Sequence, residues 1–178
     1  MTMIGALLTS LVMAREYERG TLESLFVTPV GSGEILTAKA ATNFLLGMVS
    51  LAISMVFAAF VFDIPIRGSL LLLLAVSALF LIVALGLGLV ISTATKNQFL
   101  ACQFAIMGTF MPALMLSGFL YDILNMPPAV RAVTYLIPAR YYVTLLQTLF
   151  LAGDIPSVII PCCITLGVFA AVSYTHLR

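Results

Sequence analysis

The sequence predicts an all-α protein, a polytopic helix bundle integral to a membrane. Hydrophobic residues make up 62% of the 178-residue chain and charged residues only 8%. The mean hydropathy of +1.19 lies far outside the range of soluble globular domains. Several apolar stretches are also long enough to cross a bilayer, because about 20 helical residues span its hydrocarbon core. Helices are expected because lipid offers no partner to unpaired backbone groups.

Four apolar stretches are predicted to cross the membrane. They are residues 37–62, 69–93, 99–121 and 155–171. The first carries Lys39 near its start, a cation that can extend to the interface. The last contains two prolines. Residues 1–14 are too short to cross alone, and we interpret them as the end of a longer spanning helix. The alternative, a secretory signal peptide, lacks a basic start and a small-residue cleavage site.

A charged segment, residues 15–35, lies between two apolar stretches. Thr21 can cap a short helix in which Leu22 and Leu25 share one face. Pro29 ends that helix, because proline disfavours helical geometry in the residue before it. The pattern predicts a short amphipathic helix at the cytoplasmic surface, between two spans.

Two interpretations of the charged segment remain open. Amphipathicity alone is typical of a helix resting on lipid headgroups. The segment is also acidic, however, and an anionic membrane leaflet would favour Lys and Arg instead. The acidic residues are Glu16, Glu18, Glu23 and Glu34. Their presence favours a docking element for a cytoplasmic protein.

The distribution of cations indicates an orientation in the membrane. Arg15, Arg19, Lys39 and Lys96 fall on one side of the predicted spans, against Arg67, Arg131 and Arg140 on the other. This small excess places the charged segment in the cytoplasm and residues 122–154 outside.

Residues 122–154 form a predicted external re-entrant segment. Three prolines interrupt its helices, and three tyrosines suit a membrane interface. Short helices that dip into the outer leaflet fit this pattern. Arg140 or Asp122 could contact a polar group of a substrate. The alternative is a purely structural interfacial loop.

Small residues and methionines suggest how the helices pack. Gly86 and Gly88 are predicted to allow close approach between helices. Met107, Met111 and Met115 recur at helical spacing and could line an adaptable apolar path. Ordinary packing against lipid or core is the alternative for the methionines.

Two motifs, in order along the chain, carry a family resemblance. The first is R-E-Y-E-R-G-T-L-E-S-L, followed by T-P-V and by E-I-L-T-A-K. The second consists of L-S-G-F-L-Y, M-P-P and I-P-A-R-Y-Y. Together they resemble the type-2 ABC transporter permeases, the transmembrane subunits of ATP-driven exporters. The resemblance covers residues 1–171 and corresponds to the C-terminal part of such a permease domain.

The resemblance implies a function and a set of partners. The chain would be a membrane permease subunit that moves a drug-like, lipid or other substrate by alternating access. A separate ABC ATPase subunit or domain would bind ATP and Mg²⁺, so that this chain binds no cofactor itself. A second permease half, identical or different, would complete the pathway. The implied location is the bacterial plasma (inner) membrane, as a multi-pass protein.

The resemblance also implies two groups of site residues. The ATPase would dock on a coupling-helix region formed by Arg15, Glu16, Glu18, Arg19, Gly20, Thr21, Leu22, Glu23, Ser24 and Leu25. An external gate would include Ser117, Gly118, Phe119, Pro127, Pro128, Pro138, Arg140 and Tyr141.

The sequence indicates no enzyme activity of its own. An ATPase would need a G-x-x-x-x-G-K-[ST] loop, and neither Lys39 nor Lys96 is preceded by one. Nucleic-acid binding is not expected at a net charge of +1. The three cysteines lack metal-site spacing and are interpreted as buried free thiols. The only histidine, His176, lies in residues 172–178, which resemble a translated sequencing adapter or form a short polar tail.

Two alternatives to a permease subunit remain. An ion-coupled secondary transporter usually carries ionisable groups near the bilayer midplane, and residues 40–62 and 69–93 have none. A non-transporting membrane scaffold would explain the hydrophobicity, but not the charged and proline-rich segments together.

Overall fold

The computed structural model describes residues 3–19, 32–61 and 68–175, in which every regular element is a helix. Helix α1 is Thr9–Arg19, preceded by π-helical Met3–Leu8; α2 is Ser32–Val61, α3 is Leu70–Thr95, and α4 is Gln98–Met115, which contains π-helical Ile106–Phe110. Then follow the 3-10 turn Ile123–Asn125, α5 (Pro128–Thr134), α6 (Pro138–Gln147, continued by π-helical Thr148–Ala152) and α7 (Pro156–Thr175). The all-α prediction is confirmed for this part of the chain.

Four of these helices are long and apolar enough to cross a membrane: Ala38–Ala58 of α2, and α3, α4 and α7 in full. Each overlaps one predicted span, but α4 ends at Met115 rather than at residue 121. Leu116 already departs from helical geometry, with φ −109° and ψ 1°. Gly118 adopts a φ of +87°, a conformation that favours glycine. The last helix extends beyond residue 171 to Thr175.

Helix α3 forms the centre of the bundle. Half of its most apolar stretch is buried, against 11% to 17% in the other three spans, and it packs on α1, α2, α4, α6 and α7. The core around it combines Leu73 and Phe80 with Leu145 of α6 and Leu166 of α7. A helix that is apolar on all sides is typically buried in this way.

Small residues let two helices approach α3 closely, as predicted for Gly86 and Gly88. A Cβ atom at Gly88 would lie 2.6 Å from the carbonyl oxygen of Ala6, and one at Gly86 would lie 2.8 Å from the Cβ of Ser173 in α7. Larger side chains do not fit at these two positions without displacing a neighbour.

A short turn joins α3 to α4. Lys96 adopts left-handed geometry, with φ 49°, and its N–H donates to the carbonyl oxygen of Ser92 at 3.0 Å. The side-chain oxygen of Asn97 accepts from the N–H groups of Phe99 at 2.9 Å and Leu100 at 3.2 Å. Backbone groups at both helix ends are thus satisfied, and α3 and α4 form a tight antiparallel hairpin.

Hydrogen bonds join the opposite end of α3 to the chain around α6. The N–H of Gly68 donates to the carbonyl oxygen of Leu149 at 2.9 Å. The carboxylate of Asp154 accepts from the N–H of Ser69 at 3.0 Å. The start of α3 is therefore fixed against the segment that links α6 to α7.

Candidate functional site

The charged segment begins on α1 and ends on α2. Of the predicted docking residues, Arg15, Glu16, Glu18 and Arg19 lie on the last part of α1. The other six, Gly20, Thr21, Leu22, Glu23, Ser24 and Leu25, lie outside the described residues. The amphipathic coupling helix therefore stays a prediction, while the structure defines the two helices that flank it.

Two polar contacts join α1 and α2 next to the charged segment. The ammonium group of Lys39 forms an ion pair with the carboxylate of Glu16, and the two side chains are only 29% and 21% exposed. Farther into the bundle, the side-chain amide of Asn43 donates to Thr9 Oγ1 at 3.0 Å, and both residues are buried. We call these four residues the α1–α2 bridge. They hold together the helices that lead into and out of the charged segment.

The α1–α2 bridge is not predictable from the sequence pattern alone. The sequence predicts that Lys39 can extend to the interface, whereas its ammonium group pairs with Glu16. The pairing depends on the register between two helices, which local spacing does not reveal. The available signal was a polar residue inside each apolar stretch, Thr9 and Asn43, because such groups need partners within the protein.

Helix α1 and the turn before it contact three other spans. The buried residues are Ala6, Thr9, Ser10, Met13 and Ala14, at the spacing of one helix face. Besides Asn43 of α2, they meet Gly88 of α3, which lies against Ala6 and Thr9. The hydroxyl of Ser10 reaches the carbonyl oxygen of Ala101 in α4 at 3.5 Å. A displacement at the end of α1 would therefore act on α2, α3 and α4.

Helix α6 runs antiparallel to the first half of α3. The ring of Tyr142 stacks on Phe80 with 4.1 Å between centroids, and its hydroxyl lies 3.0 Å from that of Ser77. Phe80 lies ten residues beyond Leu70, a rise of about 15 Å along α3. The start of α6 therefore lies alongside the middle part of α3, and the re-entrant course of residues 122–154 stays a prediction.

Polar contacts close the turn between α5 and α6. The guanidinium carbon of Arg140 lies 3.9 Å from the centroid of the Tyr135 ring, and the group donates a hydrogen bond to the hydroxyl of Thr134. The Thr134 hydroxyl donates to the carbonyl oxygen of Arg131 at 2.7 Å, and that of Tyr141 donates to the carbonyl oxygen of Tyr135 at 3.0 Å. Arg140, a predicted substrate contact, thus stabilises its own hairpin.

The other predicted gate residues lie around this hairpin. Pro128 and Pro138 occupy the first positions of α5 and α6, where proline suits the start of a helix. Pro127 precedes α5 in extended geometry. Ser117 is buried and Phe119 is 68% exposed, both on the stretch after α4. The last three predicted gate residues thus lie in the first turn of α6, two lie at the start of α5, and three lie on the stretch after α4; their joint role as a gate stays a prediction.

A cavity of about 630 Å³ lies between α3, α4 and the turn before α6. Its apolar wall includes Val83 and Leu87 of α3, Phe104 of α4 and Leu136 of the turn. Among the described residues that line it, the hydroxyl-bearing ones are two threonines of α3 and α4. The volume lies within the range of small-molecule sites, and the wall suits an uncharged lipophilic molecule.

The methionines of α4 do not line this cavity. Met107, Met111 and Met115 are 63%, 51% and 49% exposed on the surface of the helix, so they form no internal path within the part of the chain that the structure describes. All three cysteines are free and partly rather than fully buried. Over the described ranges, no group of three His, Cys, Asp or Glu residues could hold a metal ion.

The sequence matches the ABC-2 type transporter family over residues 1–151. The chain therefore belongs to this family, and the resemblance to type-2 ABC permeases is confirmed. Together with four helices long enough to cross a bilayer, family membership makes it a multi-pass membrane protein.

Several curated proteins are similar to this chain. YbhS of Escherichia coli K12, described as a probable multidrug ABC transporter permease, is 52% identical over 160 residues, covering 90% of this chain and 42% of YbhS. YbhR of the same strain, also described as a probable multidrug ABC transporter permease, is 32% identical over 154 residues, covering 84% of this chain and 41% of YbhR. The inner membrane transport permease YhhJ of Escherichia coli K12 is 29% identical over 182 residues, covering 99% of this chain and 48% of YhhJ. The chain spans less than half the length of these relatives. No solved structure matches it.

Proposed function

We propose that this chain forms part of the membrane permease of an ATP-driven ABC exporter in the bacterial inner membrane. The observation that carries the proposal is the family match over residues 1–151. Two relatives described as probable multidrug ABC transporter permeases support the class of transporter. The apolar cavity beside α3 supports a lipophilic, drug-like substrate.

The charged segment is the proposed docking element for the ATPase. It connects α1 and α2, and α1 contacts three other spans, so a force on this segment would reach most of the bundle. ATP and Mg²⁺ are assigned to the ATPase, because this chain carries no phosphate-binding loop. Closure of the ATPase would displace the ends of α1 and α2 and favour an outward-facing state.

A second permease half, identical or different, would complete the pathway. The hairpin of α5 and α6 is the proposed external gate. Its turn lines the cavity, and the polar contacts of the turn are formed within the hairpin itself. The turn and α5 can therefore shift without losing these hydrogen bonds, while α6 stays packed on α3 through Tyr142 and Phe80.

The docking proposal is tested with the full-length permease and its ATPase in proteoliposomes. The double substitution Glu23→Lys and Leu25→Lys places two cations on the predicted docking face. We expect permease-dependent ATPase activity to fall at least tenfold. The matched control is Asn125→Lys, an exposed position beyond α4, which should leave the activity unchanged. Wild-type activity in the double variant would contradict docking at this segment.

The location of the charged segment is tested by labelling in intact cells. Ser24→Cys is made in a background in which all native cysteines of the full-length permease are replaced by alanine. An impermeant maleimide should label this cysteine only after the cells are opened, while Asn125→Cys should be labelled in intact cells. Labelling of Ser24→Cys in intact cells would place the segment outside and exclude the proposed docking.

A further inference from the structure

The α1–α2 bridge joins the two helices that flank the charged segment, and we propose that it makes them move as one unit when the ATPase acts on residues 20–31. This inference rests on the proposed function. It identifies Glu16 with Lys39, and Thr9 with Asn43, as positioning residues that couple ATPase closure to the movement of the spans.

The two contacts of the bridge lie at different depths. On α1, Glu16 follows Thr9 by seven residues, which corresponds to a rise of about 10 Å. On α2, Asn43 follows Lys39 by four residues, about 6 Å. Because the helices are antiparallel, the ion pair lies nearest the charged segment and the hydrogen bond lies deeper. Two contacts separated along an axis resist both separation and tilting, whereas a single contact would act as a pivot.

Helix α2 needs the bridge more than α1 does. The start of α1 is held by close contacts to α3 at Gly88 and to α4 at Ala101. Helix α2, in contrast, is mostly exposed: 17% of its spanning stretch is buried. Its buried residues Asn43, Gly47 and Leu51 form one narrow stripe. Without the bridge, a displacement of α1 could leave α2 behind.

Burial makes both contacts effective. The side chains of Glu16 and Lys39 are less than one-third exposed, so water screens their attraction less than at an open surface. Asn43 is only 7% exposed, and a polar group that loses its partner in a buried position is costly. Movement that separates α1 from α2 would therefore be opposed by the loss of two polar contacts at once.

The test follows the movement of α2 without requiring a known substrate. Spin labels are placed on Phe60→Cys of α2 and Ile164→Cys of α7, both exposed, in the cysteine-free full-length permease with its ATPase. Electron–electron resonance then gives the distance distribution without nucleotide and with ATP and vanadate. In the wild-type background, we expect the distribution to shift between the two conditions.

Single substitutions that break the ion pair, Lys39→Glu or Glu16→Lys, should reduce this shift at least twofold. ATP hydrolysis should continue in Lys39→Glu, which lies outside the predicted docking residues. The double variant carrying both should recover it, because the pair is re-formed with its charges exchanged. Thr9→Val combined with Asn43→Leu should also reduce the shift and provides a second route if the charge variants fold poorly. The matched control is Thr42→Val, which removes a hydroxyl bonded within α2 itself and should change nothing.

The outcomes distinguish a failure of the bridge proposal from a failure of the proposed function. A wild-type shift that persists unchanged in the single variants, or that the exchanged pair does not recover, overturns the role of the bridge and leaves the proposed function intact. A wild-type complex with neither permease-dependent ATP hydrolysis nor a nucleotide-dependent shift overturns the proposed function, and the role of the bridge with it.

Discussion

Helix α3 packs tightly on the α1 side and loosely on the α4 side. Toward α1, a Cβ atom at Gly88 would lie 2.6 Å from the carbonyl oxygen of Ala6, and one at Gly5 would lie 2.6 Å from the Cβ of Ala84. Toward α4, a cavity of about 630 Å³ separates the helices in part. A Cβ atom at Gly108 of α4 would meet nothing within 4 Å.

The difference indicates where the bundle can move. Small residues bring many atoms of α1 and α3 into contact, so separating the two helices would lose these contacts together. A helix or hairpin beside a cavity can shift while losing few contacts. We therefore expect α1, α3 and the start of α4 to move together during transport, and the second half of α4 and the turn before α6, which border the cavity, to move relative to them.

The largest effect is expected where α3 packs tightly on the α1 side. Gly88→Leu inserts a side chain against the backbone of Ala6, which cannot yield as a flexible side chain could. We expect the free energy of unfolding to fall by about 3 kcal/mol, the upper part of the range for overpacking. Thermal unfolding and the monodisperse yield in detergent measure the effect. Gly108→Leu is the matched control on the loose side, and equal losses in both variants would contradict the comparison.

A smaller effect is expected at the turn of the α5–α6 hairpin. Arg140→Gln removes the cation over the ring of Tyr135 and weakens the hydrogen bond to Thr134. We expect hydrogen exchange at the backbone amides of residues 128–137 to accelerate about tenfold, since about 1.4 kcal/mol corresponds to a factor of ten. Arg140→Lys keeps the charge but not the planar stacking and should lie between the two. Unchanged exchange would show that the guanidinium does not hold the turn.

A third prediction concerns the attachment of the hairpin to α3. Tyr142→Phe keeps the ring stacked on Phe80 but removes the hydroxyl paired with Ser77. The free energy of unfolding should fall by about 1 kcal/mol, the typical contribution of one hydrogen bond. Ser77→Ala is the partner variant, and a double-mutant cycle gives the coupling between the two hydroxyls. Additive losses would mean that the two groups do not interact.

The smallest effect on stability is expected on the loose side. Gly108→Leu has room in the cavity, and leucine favours helices over glycine, so stability should change by less than about 1 kcal/mol. Transport of a lipophilic dye such as rhodamine 6G should nevertheless decrease, because the side chain fills the cavity. Gly167→Leu of α7, also an open position but outside the cavity wall, should leave dye transport unchanged. A decrease in both variants would argue against a role of the cavity.

The sequence was most informative about the class of fold. Apolar length and the scarcity of charge predict four spanning helices, because lipid leaves the backbone few alternatives. Helix ends were harder to predict. Helix α4 ends at Met115, where Leu116 leaves helical geometry, and an apolar stretch contains no polar cap that would mark such a boundary. The left-handed geometry of Lys96 was not predicted either, because lysine rarely adopts it.

The candidate site was predicted less completely. Motif similarity identified the charged segment and the hairpin, but motifs do not reveal contacts between residues far apart in the sequence. The ion pair of Glu16 and Lys39 and the hydrogen bond of Ser77 and Tyr142 each join residues far apart in the sequence. A substrate contact of Arg140 stays a prediction, and its described contacts lie in its own turn. Polar residues within apolar stretches, read as potential partners, would have pointed to several of these contacts.

The short turn at Lys96 and Asn97 also constrains how the protein enters the membrane. Helix α3 is the most apolar of the four spans and α4 the least. With so few residues between them, the insertion machinery cannot release one into lipid and hold the other back. We expect the pair to partition as a single helical hairpin, in which the strong preference of α3 for lipid compensates for the weaker preference of α4.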